Sequence, residues 1–145
     1  MRWVAPGDEL APITRGPLTT LHLMRFSAAI ENWHRIHYDA RFAREHDGLP
    51  GLLISGSWKQ HLVAQMTRAW AGPDGWLRSL DLQFRRMNVA GETLTAWGIV
   101  TAVEHEEGAV VVHCDVGIRN QDGMESSPGR ATLVLSAARP SRRRS

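Results

Sequence analysis

Apolar positions in this chain recur first at helical spacing and later at every second residue. In "LHLMRFSAAI", Leu21, Met24, Phe26 and Ala28 or Ala29 make an imperfect apolar face, with Thr19 or Thr20 placed to cap a helix that ends near Asn32. An irregular "NWHRIHY" follows. Asp39 then has the chemistry to cap a short helix, "ARFAREH", which stops at the Asp47-Gly48 and Pro50-Gly51 breaks. In "SGSWKQHLVAQMTRAW", Trp58, Leu62, Met66, Ala69 and Trp70 recur at helical spacing, and "AGPDG" ends the run. Beyond it the period changes to two. "WLRSLDLQF", "ETLTAWGIVTAVEH", "AVVVHCDVGIRN" and "GRATLVLSAA" alternate and are separated by turns at "NVAGE", "EEG" and "NQDG". Helices first and an antiparallel meander after predict an α+β fold, with the sheet curled around the "SWKQHLVAQM" helix. The segment before Thr19, broken by Pro6, Gly7, Pro12, Gly16 and Pro17, reads as an extended arm.

At 145 residues the chain fits one domain, large enough to hold a core without disulfides or a metal. The domain is expected over residues 1–138, and "RPSRRRS" gives a basic, disordered tail at 139–145. The single cysteine, Cys114, lies in an apolar run and reads as a buried structural thiol. The net charge is only +2, and the basic cluster is confined to the tail rather than forming a stripe interleaved with aromatics, which argues against nucleic acid. No segment reaches the ~18 apolar residues that span a bilayer, and the first residues lack the apolar core of a secretory signal. A soluble, cytoplasmic protein without membrane partners is the expectation.

Three of the seven histidines, His34, His37 and His46, fall in the stretch Ile30 to Gly51. A metal centre would need a third well-spaced ligand or a cysteine, and the spacing supplies neither, so no metal is expected. His22, His46, His61, His105 and His113 have no special neighbours and read as surface or satisfied histidines. His37 differs, because Ile36 and Tyr38 flank it and can anchor the loop while the imidazole enters a pocket as a general base. Gly56 stands where "LLIS" becomes a helix, with Ser55 as its cap. Free N–H groups at that start could hold a carbonyl oxygen that gains charge, or the pair could simply be a cap and a small residue for close packing.

The ordered set "VAPGDEL", "RGPLTTLHLMRFSAA", "NWHRIHYDARFARE", "GLPGLLISG" and "NVAGETLTAWGIV" resembles the MaoC-like hot-dog dehydratases and hydratases over roughly Val4 to Ala138. "FSAAIENWHRIHYD" is most similar to the branch of mesaconyl-CoA hydratase and related 3-hydroxyacyl-thioester dehydratases. The resemblance implies a single hot-dog fold, a long central helix wrapped by a curved antiparallel sheet. It also implies a lyase that hydrates a 2-enoyl thioester or dehydrates a 3-hydroxyacyl thioester, with no cofactor beyond the CoA or phosphopantetheine that carries the substrate. His37 matches the family's catalytic histidine. Asn32 occupies the position of an aspartate in the (R)-specific branch, and an amide can orient a water but cannot take its proton. The N–H of Gly56 or Ser57 would be the oxyanion hole. Tyr38, Ser55, Trp58, Arg85 and Arg86 are candidates for substrate binding, Trp58 equally as a core anchor and the arginines equally as solvated strand ends, with Arg119 and Arg130 further candidates for phosphate. Ser55 replaces a histidine common in relatives. A homodimer or dimer of dimers is implied, with a second hot-dog subunit as the alternative. The competing readings are a non-catalytic, partner-dependent subunit, and a thioesterase or other acyl-thioester tailoring enzyme on the same scaffold.

Overall fold

A strand opens the chain where the sequence suggests only an arm. In the computed structural model, which describes residues 3–136, β1 (Glu9–Arg15) pairs with β3 despite Pro12. The register slips between Leu10 and Ile13, so Pro12 sits at a bulge on an edge strand, a place where its missing N–H removes no ladder bond. The order continues α1 (Thr20–Ala29), α2 (Gly56–Ala71), β2 (Gly75–Leu82), β3 (Leu94–Glu106), β4 (Ala109–Arg119) and β5 (Glu125–Ser136). Between the helices the chain makes a 3-10 turn at Arg35–His37 and a wide helical turn at Phe42–His46. The expected tail at 139–145 lies outside the described residues.

All five strands form one antiparallel sheet in the order β1-β3-β4-β5-β2. Only β3, β4 and β5 form the expected meander. β2 does not turn back onto β3 but pairs with β5 at the far edge, and the chain crosses from there to β3 through residues 83–93. α1 also differs from its predicted stripe. Its buried residues are Leu23 and Ser27, whereas Leu21 and Met24 are exposed. Thr19 caps it as expected, with its N–H donating to His22 Nδ1 at 3.0 Å in the reciprocal manner of a capping box.

α2 is the element the sheet wraps. Ser55 Oγ accepts from Ser57 N–H at 3.2 Å at its start, and Gly72, at φ +78°, closes its end with its N–H on Arg68 O. The face turned to the sheet is Lys59, Leu62, Val63, Met66, Thr67 and Trp70. Ala69 is exposed and Trp58 half-buried, so the buried stripe is rotated from the predicted one and takes in a lysine. Met66 meets Leu10, Leu94, Val116 and Ile118 in one continuous core. A Cβ on Gly98 of β3 would stand 3.2 Å from Met66 Cε and 3.1 Å from Leu10 Cδ2, so the missing side chain lets the helix settle onto the strand. Cys114 is buried in this core, where desolvation pushes its thiol up to about 11. Among the described residues no helix is long and apolar enough to cross a membrane.

Candidate active site

Three short segments meet at the start of α2. Ile54 N–H donates to Asn88 O at 2.8 Å and Ala90 N–H to Leu52 O at 2.9 Å, which joins residues 52–54 to residues 88–90. On the other side Leu53 N–H donates to Ile36 O at 2.9 Å, joining the same segment to the histidine-bearing loop. The loop is therefore part of a small hydrogen-bonded frame rather than a free connection.

That loop is also braced from within. His34 Nδ1 accepts from Ile36 N–H at 3.4 Å, Tyr38 Oη donates to Trp33 O at 2.8 Å, and Arg35 reaches Asp39 at 2.7 Å. Asp39 accepts from Phe42 N–H, and that bond, followed by Arg35, holds its carboxyl below the usual carboxylate range. Asn32 Oδ1 accepts from His34 N–H at 3.2 Å, so its carboxamide oxygen is committed to the backbone while its NH2 group remains.

His37 is buried, and its Nδ1 lies 2.7 Å from Leu53 O. A carbonyl can only accept, so this nitrogen carries the proton and Nε2 is left with its lone pair. His37 lines a cavity of about 10 Å³ with Leu23, Ser27, Ser55 and Trp58, which has room for about one water. Ser55 and Trp58 are thus brought to His37. Gly56 follows Ser55 directly. Among the described residues no acceptor takes its N–H, whereas the Ser57 N–H is occupied by the Ser55 cap. The Phe84 ring lies 3.0 Å from where a Cβ on Gly56 would stand.

Phe26 and Trp58 also form walls of a larger groove of about 450 Å³ beside this cavity. Its polar walls are Arg15, His22, Arg25, His61 and Gln65, with no carboxylate among them. His22 and His61, which the sequence leaves without special neighbours, therefore line a groove that shares two walls with the His37 cavity. His61 Nδ1 donates to Ser57 O at 2.7 Å, and its ring meets Phe26 edge-on. Arg85 and Arg86 are elsewhere. Arg85 bonds Gln83 Oε1 beside a second groove that also touches Trp97 and Arg130, and Arg86 reaches Met124 Sδ. Arg119 lies over the Trp97 ring and bonds Glu125. Tyr38, Asn32, Arg85 and Arg86 do not line the His37 cavity. Among the described residues no group of three His, Cys, Asp or Glu side chains could hold a metal ion.

Sequence reasoning passed over Lys59. It is 2% exposed, and its Nζ donates to Arg86 O at 3.0 Å and to Ser127 Oγ at 3.4 Å. Its spacing to Leu62, Val63 and Met66 was the available signal, since it falls on their face of the helix. Burial lowers its ammonium to about 8, a shift that Glu92 partly opposes.

The profile of the hydroxyacyl-thioester dehydratase type 2 family matches residues 8–92, more than half of the chain. Mesaconyl-C(4)-CoA hydratase of Chloroflexus aurantiacus is 44% identical over 46 residues, a stretch that covers 32% of this chain and 16% of that protein. The fold is similar to that of the (R)-hydratase of A. caviae involved in PHA biosynthesis, at a TM-score of 0.82 and 19% identity over 93% of this chain and 99% of that one. It is also similar to a chain of the ChsH1-ChsH2 complex of Mycobacterium tuberculosis, at 0.79 and 22% identity over 92% and 99%. These likenesses establish the hot-dog architecture, and with the family match the chain belongs to the hydroxyacyl-thioester dehydratase type 2 family of MaoC-like hydratases and dehydratases.

Proposed function

We propose that the chain is a lyase that reversibly hydrates a 2-enoyl thioester, and dehydrates the 3-hydroxyacyl form, with His37 as the base and the Gly56 N–H as the oxyanion donor. The observation that carries this reading is the 2.7 Å bond from His37 Nδ1 to Leu53 O, which leaves Nε2 as the proton acceptor in a cavity shared with the cap of α2. In hydration, Nε2 takes a proton from water as the water oxygen adds to Cβ. The displaced electron pair moves onto the thioester oxygen, facing the Gly56 N–H and the positive end of the α2 dipole. Collapse of this enolate returns a proton to Cα from the imidazolium, so H and OH have been added and nothing is oxidised. The step therefore calls for no redox cofactor. Asn32, which lies off this cavity and bonds the His34 N–H, braces the loop rather than the water, and Trp58 with Phe26 can flank the acyl chain.

The carrier, CoA or an acyl-carrier protein, is proposed to follow the groove past Arg15 and Arg25. Arg85 and Arg86, on the loop whose Phe84 covers Gly56, would meet its phosphates on the other side. A homodimer would complete this open groove. A partner-dependent subunit is the second reading, favoured because one of the similar folds comes from a two-component complex.

Loss of enoyl absorbance should be followed with short, branched, dicarboxylic and long 2-enoyl-CoAs, with wild type beside His37→Ala. Wild type should bleach at least one of them, and the variant should be slower by about 100-fold or more. Equal rates would remove His37 from the chemistry, and release of free thiol with the chromophore intact would point to a thioesterase.

A further inference from the structure

Lys59 is the only lysine of the chain, and its place is costly for the fold. Its cation is withdrawn from water, and among the described residues no carboxylate lies within ion-pair distance of it. It also stands in the first turns of α2, at the positive end of the helix dipole. An apolar side chain would fill the same position without either penalty. Helical side chains lean toward the N-terminus of their helix, which carries the ammonium back toward the level of Ser55 and Gly56. There it holds Arg86 O, two residues beyond the Phe84 ring that lies against Gly56.

We propose that Lys59 is a positioning residue for the oxyanion site: its ammonium ties the 83–93 loop to α2 so that Phe84 closes over Gly56, and it sets a buried positive charge behind the Gly56 N–H. This deepens the hydratase reading and rests on it. The charge acts in a site from which water is excluded, where it favours an enolate over a neutral thioester. Its two hydrogen-bond partners, Arg86 O and Ser127 Oγ, are neutral. On α2, Ser55, Gly56, Leu62 and Val63 are neutral, and on β5 so are Ser126, Ser127 and Pro128. On the crossing loop, Glu92 is the one carboxylate that acts on it, while the Arg85 and Arg86 guanidinium groups are held by Gln83 and Met124. Because burial brings the ammonium down to about 8, the charge is lost in mildly alkaline solution.

The test measures kcat and KM against pH for wild type and Lys59→Met on an enoyl-CoA that wild type hydrates. In parallel, the single lysine resonance of wild-type protein labelled with 13C and 15N in lysine is titrated. The variant should lose kcat by about tenfold or more with KM nearly unchanged, and it should lack the alkaline decline that wild type shows. The wild-type lysine resonance should titrate with the same midpoint as that decline, a readout that stands even if the variant fails to fold. Unchanged kcat in the variant, or a lysine midpoint more than about one unit away from the decline, overturns the role of Lys59 while leaving the hydratase reading intact. A wild-type protein that hydrates no thioester overturns both.

Discussion

The two halves of α2 are built on opposite principles. Around its first turns gather Ser27, His37, Ser55, Lys59 and Asn88, five of the eight buried polar residues described in the chain. Its second half buries Met66 and Trp70 against the sheet, and its one buried polar side chain, Thr67, satisfies itself by donating to Val63 O and Ala64 O. One end of the helix therefore carries groups that need partners from three other segments, and the other end needs only shape. Stability should reside in the second half and chemistry in the first.

That contrast can be broken most directly at Met66. Met66→Ala should cost about 2–5 kcal/mol in a denaturant melt, because Met66 is fully buried and its loss leaves a cavity in the core, while kcat per folded molecule stays close to wild type. A large fall in kcat with little loss of stability would put chemistry at the wrong end of the helix. Gly56→Ala sharpens the comparison from the other side. Its methyl would stand 3.0 Å from the Phe84 ring, so the ring must shift, and kcat should fall by about tenfold or more while the melting midpoint moves little. The effect most tied to conditions is one of pH. Lys59 binds a proton more weakly when folded than when unfolded, so between pH 8 and 10.5 the unfolded chain holds more protons and stability rises with pH. The gain is about 3 kcal/mol at most. Lys59→Met should lose that rise, which comparison of melts at pH 7.5 and 10 would reveal. Cys114 works in the opposite sense above pH 9 in both proteins and cancels in the difference.

What the sequence disclosed follows the range of the interactions. Thr19, Ser55 and Gly72 announce helix ends because caps are made within a few residues, and all three stand at the ends of α1 and α2. The alternating strands were legible for the same local reason. The pairing of β2 with β5 was not, since no turn residue records which edge a strand will join. Pro12 suggested an arm because proline in a strand is tolerated only at an edge or bulge, and both are properties of the finished sheet. The site divides in the same way. The family motif singled out His37, and its neighbours in sequence supplied the loop. Leu53 as its hydrogen-bond partner, the groove histidines His22 and His61, and the buried Lys59 depend on segments far apart in the chain.

The crossing from β2 to β3 also sets an order of assembly. β3, β4 and β5 are successive hairpins whose contacts close over short loops, whereas Gly75 must wait for Leu135 and Glu9 for Ile99. Closing those long loops costs chain entropy that only a nearly complete sheet can repay, so the three-stranded meander is the natural early structure. The bonds that frame His37, from Ile54 to Asn88 and from Leu53 to Ile36, join segments that belong to neither hairpin. Both bonds close shorter loops than Gly75 to Leu135 or Glu9 to Ile99, so the frame around His37 can assemble independently of the meander and before the edges of the sheet have closed.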